Sequence, residues 1–281
     1  MNSIESLLKL RPEDLIKTLR VNLLKIGREE AMENLAEENI ITKIHPFIPE
    51  GLIITKGSNK VGSSLSYLAG EVMPQGLGSM LTVLALDPKP GDTILDMAAA
   101  PGGKTCFIAE RMQNKGRLVA NDISFKRLKA LLFNLARHNI QNISVINNNA
   151  LYLDLPMQFD KILLDAPCTG EGLIVSQPNR KRSRDIHDIY ALQKTQISLV
   201  KKAISMLNKG GSCVYSTCSL SPLENELVID QFRDQIEIQE INIPGDCGLN
   251  SINDEFIKTK RLIPSKHKCD GFFICKFEVK L

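Results

Sequence analysis

Two cysteines and an aspartate stand where a thiol could do chemical work. Cys168 lies in Asp165-Ala166-Pro167-Cys168-Thr169-Gly170, and Cys218 in Tyr215-Ser216-Thr217-Cys218-Ser219. Each segment follows an apolar run of strand type, Phe159 to Leu164 and Gly211 to Thr217. A single cysteine is more often a small buried hydrophobe than a reagent. Two thiols and an acid converging at neighbouring strand ends, each in a small polar segment, suit covalent catalysis, which splits one hard step into easier ones.

A second group of residues suits a ligand. Asp96-Met97-Ala98-Ala99-Ala100-Pro101-Gly102-Gly103-Lys104-Thr105 follows a short strand and opens a helix. Small residues and two glycines let the backbone approach a bound molecule, and the helix start offers free N–H groups to a carboxylate or phosphate. The same residues would also serve a tight turn with no ligand. A Rossmann G-x-G-x-x-G is absent, and a Walker loop would need glycine where Ala98 stands. Asp122 ends the next strand, where an acid can accept both hydroxyls of a ribose. It could equally cap a helix, although Ser124 could do that. Asn149 ends a third strand and could meet an adenine edge, or be ordinary turn chemistry.

Taken alone, the two groups suit a nucleotide-binding enzyme with thiol chemistry, and methylation of a cytosine is one reaction that would use both. Carbon 5 of cytosine is a poor nucleophile. A thiolate added to carbon 6 turns the ring into an enamine, and carbon 5 can then attack a methyl sulfonium. Asp165 could stabilise the adduct by protonating or hydrogen-bonding ring nitrogen 3. The base would have to leave any stack to reach such a pocket. Methylating a nitrogen or a hydroxyl would need no thiol adduct.

Positioning these residues requires a sheet. From Asp92 onward strands and helices alternate: strand Thr93–Asp96, helix Gly102–Met112, strand Arg117–Asp122, helix Lys126–His138, strands Ile143–Ile146 and Phe159–Leu164, helix Asp188–Leu207, strand Gly211–Thr217, helix Glu224–Gln235 and a closing strand Gly271–Glu278. Alternation of this kind predicts an α/β fold, a parallel sheet covered on both faces, with ligands beyond the carboxyl ends of its strands. The first 80 or so residues read differently. Leu15 to Leu24 is apolar-periodic, Glu29–Asn39 reads as an amphipathic helix and Ile40–Ile44 as a strand. Gly51 to Ser66 suits a hairpin and loop, and Met73-Pro74-Gln75 precedes an apolar helix, Leu77–Leu86.

Composition sets the outer limits. The 281 residues are 43% hydrophobic with a net charge of +3, enough apolar residues for a substantial core and a balance that allows an acidic partner without demanding one. The densest basic run is Asn179-Arg180-Lys181-Arg182-Ser183-Arg184. It is either a solvated loop or, given its place after Asp165–Gly170, a phosphate contact through Arg180, Lys181, Arg182 and Arg184. Lys126, Arg127, Lys129 and Arg137 share one helix and read as surface. No stretch has the ~18–20 apolar residues that span a bilayer, and Met1 to Leu10 lacks a signal-peptide block. Seven cysteines without a C-x-x-C pair argue against a structural metal site and for a reducing cytoplasm.

The ordered motifs resemble the NOP2/NSUN (Sun/Fmu) family of RNA 5-methylcytosine methyltransferases, in its archaeal tRNA-type form. Ala99 to Thr105 is similar to that family's cofactor loop, Asp165 to Gly170 to its fourth motif, and Ser216 to Ser219 followed by Glu224-Asn225-Glu226 to its sixth. Arg20-Val21-Asn22, Met73-Pro74-Gln75, Arg261, Pro264 and Asp270-Gly271-Phe272-Phe273 extend the likeness over about residues 20–280. The resemblance implies a Rossmann-like S-adenosylmethionine-dependent methyltransferase domain over 76–281, behind a small RNA-recognition-like α+β module over 1–75. It implies Cys218 as nucleophile, Cys168 as the group that assists release, and Lys104 and Asp165 at the target base. S-adenosyl-L-methionine would be held by Ala98, Ala99, Ala100, Pro101, Gly102, Gly103, Lys104, Asp122, Asn149 and Asp165, with Arg127 joining them. The partner implied is RNA, transfer RNA ahead of ribosomal RNA, and the chain would act as a cytoplasmic monomer. A relative that binds RNA without catalysis is the alternative of another class, against which the intact Cys218, Cys168, Asp165 and Lys104 argue. Two positions depart from the pattern. Ala98 stands where the family often has Cys, and Asn149 where it usually has Asp, so an adenine contact there lacks charge.

Overall fold

The computed structural model describes residues 9–182 and 185–280, the side chains of Lys181 and Arg182 excepted. An antiparallel sheet comes first, from β1 (Thr18–Val21), β2 (Ile41–Ile44), β3 (Gly51–Lys56) and β4 (Val72–Pro74), in the order β2-β3-β1-β4. Helix α1 (Arg28–Glu37) buries Ala31 and Leu35 in one cluster with Leu19, Val21, Leu52 and Val72. This is the strand order of a ferredoxin-like βαββαβ unit, its second helix reduced to the turn Leu65–Leu68. Strand β4 escapes sequence reading because it is three residues long. Its Pro74 is tolerated because β4 is an edge strand.

The second sheet carries parallel strands β5 (Thr93–Asp96), β6 (Arg117–Asn121), β7 (Ile143–Ile146), β8 (Phe159–Asp165) and β9 (Leu207–Thr217), ordered β7-β6-β5-β8-β9. Helices α2 (Leu77–Leu86), α3 (Gly103–Arg111), α4 (Phe125–Arg137) and α5 (Ile186–Met206) connect and cover them. The period-2 alternation of a strand sends successive side chains to opposite faces. Ile94, Leu163 and Val214 therefore join α2 and α3 in one core, while Leu95, Ile162, Leu164, Cys213 and Tyr215 meet α5 in the other. Chain order runs outward to β6 and β7 on one side of β5 and to β8 and β9 on the other. The β5–β8 gap is thus the switch point where such sheets bind ligands.

The expectation of a parallel sheet fails at its far end. There β10 (Ile236–Gln239), β11 (Asp246–Cys247), β12 (Lys260–Leu262) and β13 (Phe272–Val279) pair antiparallel, with β13 against β9. The helix expected over Glu224–Gln235 is broken into the short turns Pro222–Glu224, Glu226–Ile229 and Asp230–Phe232. Distant partners pull it apart. Asn225 leaves the helical region to bond the Thr217 hydroxyl (2.6 Å), and Glu226 takes the Arg261 guanidinium.

Buried polar side chains lock the two sheets together. Arg20 is fully buried; it donates to Glu110 (2.9 Å), to the Gln75 side-chain oxygen (2.8 Å) and to the Gly103 carbonyl (2.8 Å), over the Phe107 ring. Asn22 donates to the carbonyls of Gly70 and His138. Arg137 corrects the surface reading of α4: it is buried over the Tyr67 ring and donates to the Tyr67 carbonyl. Among the described residues no helix is long and apolar enough to cross a membrane.

Candidate active site

Past β5 the chain turns sharply into α3. Gly102 has φ +105°, and a Cβ there would lie 2.8 Å from a Leu131 methyl on α4. Glycine alone takes this conformation with a helix so close. Ser124 caps α4, as its position suggests, yet Asp122 is not thereby idle. Its buried carboxylate accepts from the backbone N–H of Ala100 (3.0 Å) and of Ser124 (2.9 Å), with Arg127 at 3.5 Å. It thus ties the 98–101 loop to the end of β6. An ionised carboxylate has about four acceptor positions, so room for a hydroxylated ligand remains. Arg127, half exposed, also donates to the Ala100 carbonyl. The Asn149 side-chain oxygen accepts from the Leu151 N–H (3.0 Å), and the residue lines the larger cavity.

The chemical residues are assembled by register. Parallel pairing sets Asp165 of β8 beside Ser216 of β9, and the Ser216 hydroxyl donates to Asp165 Oδ1 at 2.8 Å. Asp165 Oδ2 takes the Lys104 ammonium at 2.7 Å, and Lys104 also donates to Ser79 of α2 at 3.1 Å. In this ion pair Lys104 donates and Asp165 accepts.

Just beyond the same two strands, the sulfurs of Cys168 and Cys218 are 3.2 Å apart. The hydrogen bond to the Cys218 sulfur, and then burial, push the Cys168 thiol well above its ordinary pKa. Either sulfur can be the donor across this contact. Core cysteines contrast with this pair. Burial alone drives Cys213 up, and burial pushes Cys106 and Cys269 to about 12. These are small hydrophobes.

Other side chains hold the site that sequence reading did not assign. Glu224, fully buried, accepts from Thr169 N–H (2.9 Å) and from Gln196 (3.0 Å), and Gln196 also donates to the Pro167 carbonyl (2.8 Å). They brace the loop that carries Cys168. Gln196 had a readable signal: with Leu199, Val200 and Ala203 it lies on the buried stripe of α5, where an amide is unusual. Ser79 and Ser216 had none.

Two adjoining cavities result. The larger, about 650 Å³, is lined by Asp122, Arg127, Asn149, Cys168, Arg180 and Cys218. The smaller, about 220 Å³, is lined by Ala99, Pro101, Gly103 and Lys104 together with Asp96 and Gln75. Ala98, Ala100 and Asp165 form the wall common to both. Gly102 lines neither; its part is the turn. Arg180 reaches the thiols: a Cβ on Gly170, itself at φ +75°, would lie 2.7 Å from the guanidinium and 3.6 Å from the Cys218 sulfur. Lys181 and Arg182 have side chains outside the described residues, and Arg184 lies outside them altogether. In the smaller cavity, burial raises Asp96 to about 7 against the opposing hydrogen bond from Thr105. Among the described residues no group of side chains could hold a metal ion.

A switch-point cavity on this sheet, with β13 antiparallel beside β9, defines a Rossmann-like methyltransferase domain. Residues 83–278 match the family model for 16S rRNA methyltransferase RsmB/F, and residues 3–60 match a ferredoxin-like domain of RsmF/B-like methyltransferases. The chain belongs to the RsmB/F methyltransferase family, which bears out the resemblance drawn from its motifs. It is 36% identical over 93% of its length to the 26S rRNA (cytosine-C(5))-methyltransferase nsun-1 of Caenorhabditis elegans, covering 42% of that protein. It is 34% identical to the tRNA (cytosine(49)-C(5))-methyltransferase of Pyrococcus abyssi, over 92% of this chain and 86% of that one. A crystal structure of a methyltransferase homologue from Pyrococcus horikoshii superposes with a TM-score of 0.87 at 37% identity, over 99% of this chain and 89% of that one. The chain spans less than half the length of the animal relatives it matches.

Proposed function

We propose that this chain methylates carbon 5 of a cytosine in RNA, with transfer RNA as the favoured substrate and S-adenosyl-L-methionine as the methyl donor. The observation that carries the reading is the pair of sulfurs 3.2 Å apart in a wall shared with Asp165 and Arg180. The residues present fit the donor. Asp122 offers acceptors at the end of β6, Asn149 an amide, and Ile123 and Leu151 apolar contact, in a cavity of about 650 Å³. That volume lies in the range, roughly 300–1,000 Å³, of small-molecule sites. When bound, S-adenosylmethionine supplies a methyl group bearing positive character on sulfur.

The chain supplies the rest. The Cys218 thiolate adds to carbon 6, and the electron pair of the ring double bond becomes available at carbon 5. Asp165, on the wall common to both cavities and held by Lys104 and Ser216, meets the ring as charge builds there. Once carbon 5 has been alkylated a solvent water takes its proton, the freed electron pair re-forms the bond between carbons 5 and 6, and Cys218 leaves carbon 6 as thiolate. Cys168, held against the leaving sulfur, is placed to assist that release. Residues 1–75 would act as the RNA-binding module and 76–281 as the catalytic domain. Arg180 would meet phosphate at the cavity mouth, with Lys181, Arg182 and Arg184 extending the basic edge. The enzyme would work as a cytoplasmic monomer.

The relative named for transfer RNA supports that substrate, and the relative named for 26S rRNA favours ribosomal RNA as the second reading. Unmodified tRNA transcripts and rRNA fragments, incubated with the protein and S-adenosylmethionine and then digested to nucleosides, separate them by mass spectrometry. 5-Methylcytidine from tRNA is the expected result. Its appearance only from rRNA selects the second reading, and methylated nucleosides from neither overturn both.

A further inference from the structure

The smaller cavity contains a donor with nothing to donate to. Gln75 is 8% exposed, and its Nε2 has no partner. The orientation of its amide is not free. Arg20 donates to the oxygen at 2.8 Å, and a guanidinium has no acceptor, so the oxygen must face Arg20 and the NH₂ must face away. The same guanidinium grips the Gly103 carbonyl in the first turn of α3. Gln75 Nε2 consequently sits 3.8 Å from where a Cβ on Gly103 would be, against the wall made by Ala98 to Pro101. The cavity also holds a buried acceptor. Asp96 is 1% exposed; its Oδ2 accepts from Thr105 and its Oδ1 has no partner. Lys104 lines the cavity as well, its ammonium already on Asp165 and Ser79.

Gln75 Nε2 and Asp96 Oδ1 are buried atoms of side chains that line one small cavity, and a ligand that carries both complements would satisfy them. A cytosine edge would satisfy that count, as would an α-amino acid. Position decides between them. The base must lie against Cys218, and Cys218 lines the larger cavity and not this one. The 98–101 loop, by contrast, runs along both cavities, so a molecule whose ribose meets Asp122 in one can extend its far end into the other.

We infer that Gln75 is a cofactor-positioning residue: its Nε2 donates to the α-carboxylate of the amino-acid end of S-adenosylmethionine, beside Asp96. The inference rests on the proposed cofactor. It assigns to the edge strand of the first sheet, through Arg20, a part in the site of the second. Burial holds Asp96 at about 7 against the Thr105 hydrogen bond and the Lys104 charge, and a further ammonium beside it would draw it down.

Isothermal titration of the intact protein with two ligands tests this. S-adenosylhomocysteine carries the amino-acid end; 5′-methylthioadenosine carries the adenosine and lacks it. Gln75→Glu, which puts a carboxylate where the donor stood, should weaken S-adenosylhomocysteine about 10- to 100-fold. It should leave 5′-methylthioadenosine within about twofold of wild type. Gln75→Met should show the same selectivity with a smaller loss. Retained 5′-methylthioadenosine binding certifies in each variant that the fold and the adenosine side are intact. Equal losses for both ligands, or no loss for S-adenosylhomocysteine, overturn the assignment to Gln75. If the wild-type protein binds neither ligand, the cofactor reading itself fails, and this inference with it.

Discussion

The two sides of the cavity are made differently. Toward β5 and β6 the wall is mostly backbone: Ala98 to Pro101 offer little side chain, and Asp122 holds that loop through the Ala100 N–H. Toward β8 and β9 the wall is side chains that touch one another, Lys104 on Asp165, Ser216 on Asp165, Cys168 on Cys218. A wall of backbone recognises shape and tolerates the loss of one contact. A wall of mutually dependent groups does chemistry and tolerates little. The two sides should therefore fail in different ways.

The largest effect belongs to the thiol side. Cys218→Ala should lower methylation by at least ~10³-fold, as loss of a covalent nucleophile does, with S-adenosylhomocysteine affinity unchanged by calorimetry. Cys168→Ala should instead leave RNA attached to protein, a species of reduced mobility on a denaturing gel. Trapping by Cys218→Ala and not by Cys168→Ala would exchange the two roles. On the other side, Asp122→Ala should weaken S-adenosylhomocysteine about 10- to 100-fold, while RNA affinity in a filter-binding assay stays the same. A matching drop in RNA affinity would mean that the loop and the RNA surface are one unit, and the comparison would collapse. The smallest effect falls at the rim. Arg180→Glu should weaken RNA binding several-fold and reduce the slope of log K against log salt by about 1. An unchanged slope would assign Arg180 to holding Gly170 and Gln177 rather than phosphate.

Core cysteines sharpen the same lesson inside one residue type. Cys213 lies in the same strand as the Thr217-Cys218 end, five positions earlier, and is fully buried with a thiol that burial suppresses. Cys218 lies past the end of β9, where a strand opens onto ligand space. Position relative to the strand end separates reagent from filler, and that position is readable, because the polar Ser-Thr-Cys-Ser segment marks where the apolar run stops.

By itself the sequence determined much of this protein. The alternating elements set the bounds of α2, β5 and β7 to the residue, since apolar period and turn chemistry are local. The motifs fixed the family and picked out the thiols, Lys104, Asp165 and Asp122. Tertiary structure decided what no local signal carries. It broke the helix expected after Glu224, because buried charges there answer to Arg261, thirty-five residues from Glu226. It set β13 antiparallel, and turned Arg137 from surface residue into a tie between the sheets. It set the Lys104 ammonium on Asp165 and the Asn149 oxygen on the Leu151 N–H. It also gave Gln75 a free donor, through an arginine fifty-five positions away. Each of these turns on which buried polar group finds which partner, and partners so distant in sequence are brought within bonding distance only by the packed fold.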